Sequence, residues 1–163
     1  MVPPGGIRGG RPRLRGVGAP RQSQTPVAPV KKRVLFVCVG NSCRSQMAEG
    51  FARAYGSDVM VASSAGLSPA AIVAPLTRQV LSQMNIRIDD HFPKGLDTLS
   101  RETFDIVVNM SGLPMPVTAP RIVEWPVPDP IGQKEATYRA VASQIEGLVM
   151  RLILELRSGA DQN

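Results

Sequence analysis

Residues 34–50 read VLFVCVGNSCRSQMAEG: an apolar run ending on a cysteine, a polar turn, and the opening of a helical pattern. Val34–Val39 is short, apolar and rich in β-branched residues, which predicts a strand buried on both faces. Gly40 and Asn41 are the residue types that most readily accept a positive φ, so the chain is expected to turn there. Arg44 and Ser45 close the turn and a helix begins. A strand, a tight loop and a helix N-terminus gather backbone N–H groups around one point. The helix dipole adds partial positive charge, so this geometry binds anions. Here the loop also carries a thiol at its start and a guanidinium at its end. That pairing predicts a nucleophile and an oxyanion clamp, which is more than binding alone requires.

The rest of the chain repeats the alternation. A first helix is expected over about 45–55, with Met47, Phe51 and Ala54 on one face and Gly56 as its stop. A second strand over about 58–63 runs into Ser64-Ala65-Gly66. Pro75 suits the first turn of a second helix, about 74–84, and Asn85 its C-terminal position. Leu96–Leu99 reads as a short helical turn, Phe104–Met110 as a third strand and Arg121–Trp125 as a fourth. The last helix, about 134–156, sets Val141, Ile145, Leu148, Val149, Leu152 and Leu156 on one face. Strands alternating with helices predict an α/β, three-layer sandwich: a four-stranded parallel sheet covered on both sides. Ligands bind such sheets beyond the C-terminal strand ends, where Cys38, Ser64, Met110 and Asp129 fall.

Composition matters chiefly for the first 33 residues. They hold eight basic residues and no acid, leaving 11 basic and 13 acidic residues in 34–163. The net charge of +6 therefore belongs to the N-terminal segment, and the remainder carries no signature of a nucleic-acid binder. Three regions are expected: a basic, Pro/Gly/Arg-rich disordered tail (1–32), one domain (33–158) and a short C-terminal tail (159–163). Nucleic-acid contact by the tail is not expected. Two cysteines in one loop make no disulfide framework, so a reducing cytoplasm is the expected compartment. No run approaches the roughly 18 apolar residues of a membrane span, and the N-terminus lacks the apolar stretch of a secretory signal.

Cys38 to Ser45 fits Cys-x5-Arg-Ser. A thiol at a helix N-terminus beside a cation loses its proton more readily, and the thiolate is the nucleophile. An oxyanion seated in the loop would meet backbone N–H groups of Val39, Gly40, Asn41, Ser42, Cys43 and Ser45. Arg44 would grip it through its planar fork. Ser45 is expected to donate its hydroxyl to the Cys38 sulfur, or to cap the helix. The Gly-Lys-Ser/Thr ending of a nucleotide P-loop is absent. Two cysteines and one distant histidine do not make a zinc site, so no metal is expected. Cys43 reads as a packing residue or as the partner of a regulatory disulfide with Cys38. Trp125 fits either the core or one wall of the cleft.

These residues resemble the signature of the low-molecular-weight protein tyrosine phosphatase superfamily, which includes the thioredoxin-coupled arsenate reductases. The resemblance spans about 33–156. It rests on Cys38–Ser45, on Ser64-Ala65-Gly66, on His91 after the second helix, and on Asp129-Pro130. It implies a sheet of order 2-1-3-4, with Cys38 as nucleophile, Arg44 as oxyanion ligand and Asp129 as proton donor and later base. It also implies a supporting hydrogen-bond net of Asn41, Ser64 and His91.

Two departures bear on activity. The relay reductases use further cysteines near the end of strand three, whereas residues 108–113 read VNMSGL. Tyrosine-specific members place aromatic residues after Asp-Pro, whereas Ile131 and Gly132 follow it here. The expected function is phosphomonoester hydrolysis through a phospho-cysteine, without cofactor or metal, on a phosphorylated protein or a small phosphoester. Arsenate reduction with an external thiol is the alternative, and a non-catalytic oxyanion- or phosphoprotein-binding module the third reading.

Overall fold

A computed structural model describes Gly5 and residues 30–159. Most of the expected tails, 1–32 and 159–163, lies outside the described residues; Lys32 opens the first strand and Gly159 closes the last helix. Strand β1 (Lys32–Cys38) is followed by helix α1 (Arg44–Tyr55), β2 (Met60–Gly66), α2 (Pro75–Gln83) and a 3₁₀ turn at Leu96–Leu99. Strands β3 (Ile106–Asn109) and β4 (Arg121–Glu124) come next, and α3 (Glu135–Gly159) closes the chain.

The four strands form one parallel sheet in the order β2-β1-β3-β4. The crossovers put every strand's C-terminal end on one edge, where Cys38, Gly66, Asn109 and Glu124 end their strands. Alternation along β1 divides the interior. Val34, Phe36 and Cys38 face the main core, packed with Met47, Phe51, Leu81, Ile145 and Ile153 of the three helices. Leu35 and Val37 face the other way, onto Ala65 and Val107. That second face is covered by the 3₁₀ turn and by loop residues such as Phe104, Met115 and Val117, so the third layer is thin.

Local details refine the sequence reading. The first-helix face is completed by Ala52, fully buried, and not by Ala54, which is exposed. Gly56 ends α1 at φ −128°, outside the left-handed region. Its reason is packing, because a Cβ there would come 2.6 Å from Ile153. Asn85 does take the left-handed conformation past α2, at φ +62°. Trp125 is a core residue, its ring 5.9 Å from Phe36.

Candidate active site

The loop after β1 owes its shape to the segment that follows β2. Leu67, Ser68, Ala70 and Ala74 donate their N–H groups to the carbonyls of Cys38, Val39, Gly40 and Ser42, at 2.8–3.1 Å. A planar trans peptide points its C=O and N–H in opposite directions. The N–H groups of Val39, Gly40, Asn41 and Cys43 are thereby turned away from that segment, into the loop. Gly66 allows this close approach: a Cβ there would stand 2.7 Å from the Val39 carbonyl and 2.9 Å from the Asn41 nitrogen. Of the two expected turn residues only Asn41 takes a positive φ, at +50°.

Hydrogen-bond direction can be followed inward from groups that leave no choice. The Lys94 backbone N–H must donate, and it reaches Asn41 Oδ1 at 3.0 Å. Asn41 Nδ2 therefore faces Ser45 Oγ, 2.7 Å away, and donates to it. Ser45 Oγ also pairs with Cys38 Sγ at 2.9 Å, and it is the donor when Cys38 is a thiolate. Ser45 does not cap the helix: Cys43 occupies the cap position without a side-chain bond, and the Ser45 hydroxyl is committed to the sulfur.

Gln46 and Glu49, which the sequence reading missed, complete the support. Gln46 Nε2 donates to the Asn41 and Phe92 carbonyls and to Asn41 Oδ1, each at 3.1 Å. Its Oε1 accepts from His91 Nδ1 at 2.8 Å, which assigns the proton to that ring nitrogen. His91 Nε2 lies 3.1 Å from Glu49 Oε2. Burial lowers the His91 pKa, and the Glu49 carboxylate opposes that shift. Asn41 and His91 are thus linked through Gln46. Ser64 is fully buried, but its hydroxyl has no hydrogen-bond partner among the described residues.

Arg44 is 5% exposed, and its position is fixed by main chain. Nη1 donates to the carbonyl of Met110, just past β3, and to that of Val127, past β4, at 3.1 Å. Both Nη1 hydrogens are then engaged. The guanidinium keeps its Nε–H and Nη2 edge for two oxygens of a tetrahedral anion. Asp129 Oδ2 stands 3.6 Å from Nη2, with its side chain half exposed at the mouth. Asp129 Oδ1 accepts the Ile131 N–H at 3.1 Å, which holds the carboxylate over the loop.

The resulting cleft, about 220 Å³, is lined by Cys38, Val39, Gly40, Ser42, Cys43, Arg44, Ala70, Asp129 and Ile131. It brings together a thiol, a ring of N–H donors, a guanidinium and a carboxyl. That set can hold a tetrahedral oxyanion, attack its central atom and protonate a departing oxygen. Cys43 is 2% exposed. Burial pushes its thiol up from an ordinary 9.0 to about 12, against a hydrogen bond from Thr77.

Among proteins of known family, the model described as "Low molecular weight phosphotyrosine protein phosphatase" matches residues 33–115. A "Glutaredoxin arsenate reductase" from Synechocystis sp. is 32% identical over 130 residues, 77% of this chain and 98% of that one. A solved structure described as an arsenate reductase in the phosphate binding state superposes with a TM-score of 0.71 at 32% identity, covering 77% of this chain and 98% of that one. The low molecular weight protein tyrosine phosphatase from T. tengcongensis superposes with a TM-score of 0.66 at 33% identity, covering 77% and 99%.

Proposed function

The chain belongs to the low molecular weight phosphotyrosine protein phosphatase family, and from that premise we propose that it reduces arsenate to arsenite at Cys38 with electrons from an external thiol. The observation that carries this reading is the contrast between its two thiols. Cys38 receives the Ser45 hydroxyl and sits in the anion loop. Cys43 is held buried and protonated, with its pKa at about 12. A thiol of that kind is a poor attacking group in exchange, so the second thiol of the reaction comes from outside.

The Cys38 thiolate attacks arsenic(V), forming an S–As bond, while one oxygen leaves as water on taking a proton from Asp129. The loop N–H groups and Arg44 hold the remaining oxygens through the transition state. An external thiolate then attacks the Cys38 sulfur. The S–As bond breaks with its electron pair on arsenic, releasing arsenite, and a mixed disulfide forms on Cys38. A second external thiol clears that disulfide, so two thiols are oxidised for each arsenate reduced.

The names of the similar proteins and a cleft of bare-oxyanion size support this reading over hydrolysis. Phosphomonoester hydrolysis is the second reading. It is favoured by Asp129 at the cleft mouth and by the lack of cysteine in residues 106–113. Water activated by Asp129 would then clear a phospho-cysteine.

One sample assayed both ways decides. Arsenite release with glutathione or with a thioredoxin-type dithiol is expected, abolished in Cys38→Ser and reduced about 100-fold or more in Arg44→Ala. Aryl phosphate hydrolysis without arsenite release would overturn the reductase reading. Phosphate binding with neither activity would leave an oxyanion-binding module.

A further inference from the structure

Asn109 ends β3 and is 1% exposed, a buried polar residue whose side-chain hydrogen bonds all go to Ser111, Leu113 and Glu124. Its side-chain amide is fully engaged. Oδ1 accepts the Ser111 N–H at 3.0 Å and the Ser111 hydroxyl at 2.6 Å. Nδ2 donates to the Leu113 carbonyl at 2.7 Å and to Glu124 Oε1, at the end of β4, at 3.2 Å. Residues 109–113 are thereby wound into a turn around one amide, with Gly112 at φ +74° supplying the left-handed step.

Met110 lies inside that turn. Its N–H is held by the Val37 carbonyl on β1 at 2.7 Å. Its own carbonyl takes Arg44 Nη1. The other carbonyl on Nη1, that of Val127, lies three residues past Glu124. One side chain therefore ties together the two strand ends whose carbonyls hold the guanidinium.

We infer that Asn109, braced by Glu124, is the positioning residue for Arg44. It sets the Met110 carbonyl, and through it the edge of the guanidinium that meets the oxyanion. The inference rests on the oxyanion reading of the loop and adds a specific support to it. Residues 108–113, which carry no thiol here, serve as a fixed mount in place of an exchange relay. Loss of the amide frees the turn, and a guanidinium displaced by about an ångström meets two anion oxygens poorly.

The test is inorganic phosphate binding by calorimetry, read beside Cys38 alkylation by iodoacetamide in phosphate-free buffer. In folded Asn109→Ala, phosphate is expected to bind roughly 10- to 100-fold more weakly. Cys38 alkylation is expected to stay within about twofold, because the Ser45–Asn41 net is untouched. Glu124→Ala is expected to weaken phosphate by about threefold or more, whereas Glu124→Gln keeps an acceptor oxygen and binds as wild type does. Glu124 gives the same decision should Asn109→Ala fail to fold. Phosphate binding within twofold of wild type in Glu124→Ala, or in folded Asn109→Ala, overturns the inference. A wild-type protein that binds no phosphate overturns the oxyanion reading itself, and the inference with it.

Discussion

Ser45 does more than its place in a helix's first turn implies. Its oxygen accepts from Asn41 and stands 2.9 Å from the Cys38 sulfur, where its proton can be donated to a thiolate. A hydrogen bond to a charged acceptor contributes about 1.5–3 kcal/mol. Ser45→Ala is therefore expected to slow Cys38-dependent turnover by about tenfold or more, measured beside phosphate affinity, which is expected to change little. Cys43 makes the opposite case. Its folded pKa of about 12 lies above the ordinary 9.0 of the unfolded chain. The unfolded state releases this proton first, so stability is lost as pH rises from 9.0 toward 12. Cys43→Ala is expected to flatten that alkaline limb in denaturation measured from pH 8 upward. An unchanged slope would show that the thiol is not the titrating group.

At the scale of elements, the anion loop is shaped from outside. Strand β1 ends and α1 begins, but four N–H groups from the segment after β2 orient the peptides between them. Gly66 is the contact point, and a Cβ there would stand within 3 Å of three backbone atoms of the loop. Gly66→Ala is expected to cost about 1–3 kcal/mol and to lower activity and phosphate affinity together, as read by chemical denaturation and calorimetry. Gly132 carries the left-handed conformation beyond Asp129 at φ +82°, with open space around its Cα. Backbone strain, and not a clash, is what an alanine would meet there.

The whole molecule is asymmetric about its sheet. Three helices bury one face, and Phe36 and Phe51 there are wholly enclosed. Loops and one 3₁₀ turn cover the other, leaving a groove of about 890 Å³ lined by Leu35, Leu99, Phe104 and Val117 among others. A truncation costs more where rigid neighbours cannot collapse into the space it leaves. Phe36→Ala is expected to cost about 3–5 kcal/mol, and Leu35→Ala to fall near the low end of the 2–5 kcal/mol range for such changes. Urea denaturation of the two variants checks the order. Among the described residues no helix is long and apolar enough to cross a membrane.

The sequence by itself determined the parallel α/β order and singled out Cys38, Arg44 and Asp129. Short apolar runs, apolar residues recurring on one helix face, the Gly-Asn turn and the Cys-x5-Arg spacing are local signals, and local signals survive in a linear text. Cys38, Arg44 and Asp129, read at three places along the chain, do meet in one cleft. What only the tertiary structure decided depends on partners far apart in sequence. Whether Ser45 would cap a helix or face a sulfur turned on Asn41, whose amide is set by Lys94, 53 residues away. Gln46 and Glu49 read as ordinary helix residues until His91 packs on them, 45 residues distant in the case of Gln46. The aim of Arg44 is set by two carbonyls, Met110 and Val127, at 66 and 83 residues' remove. A backbone carbonyl carries no residue-specific signal, so the mount of the guanidinium emerges only once β3 and β4 are laid beside β1.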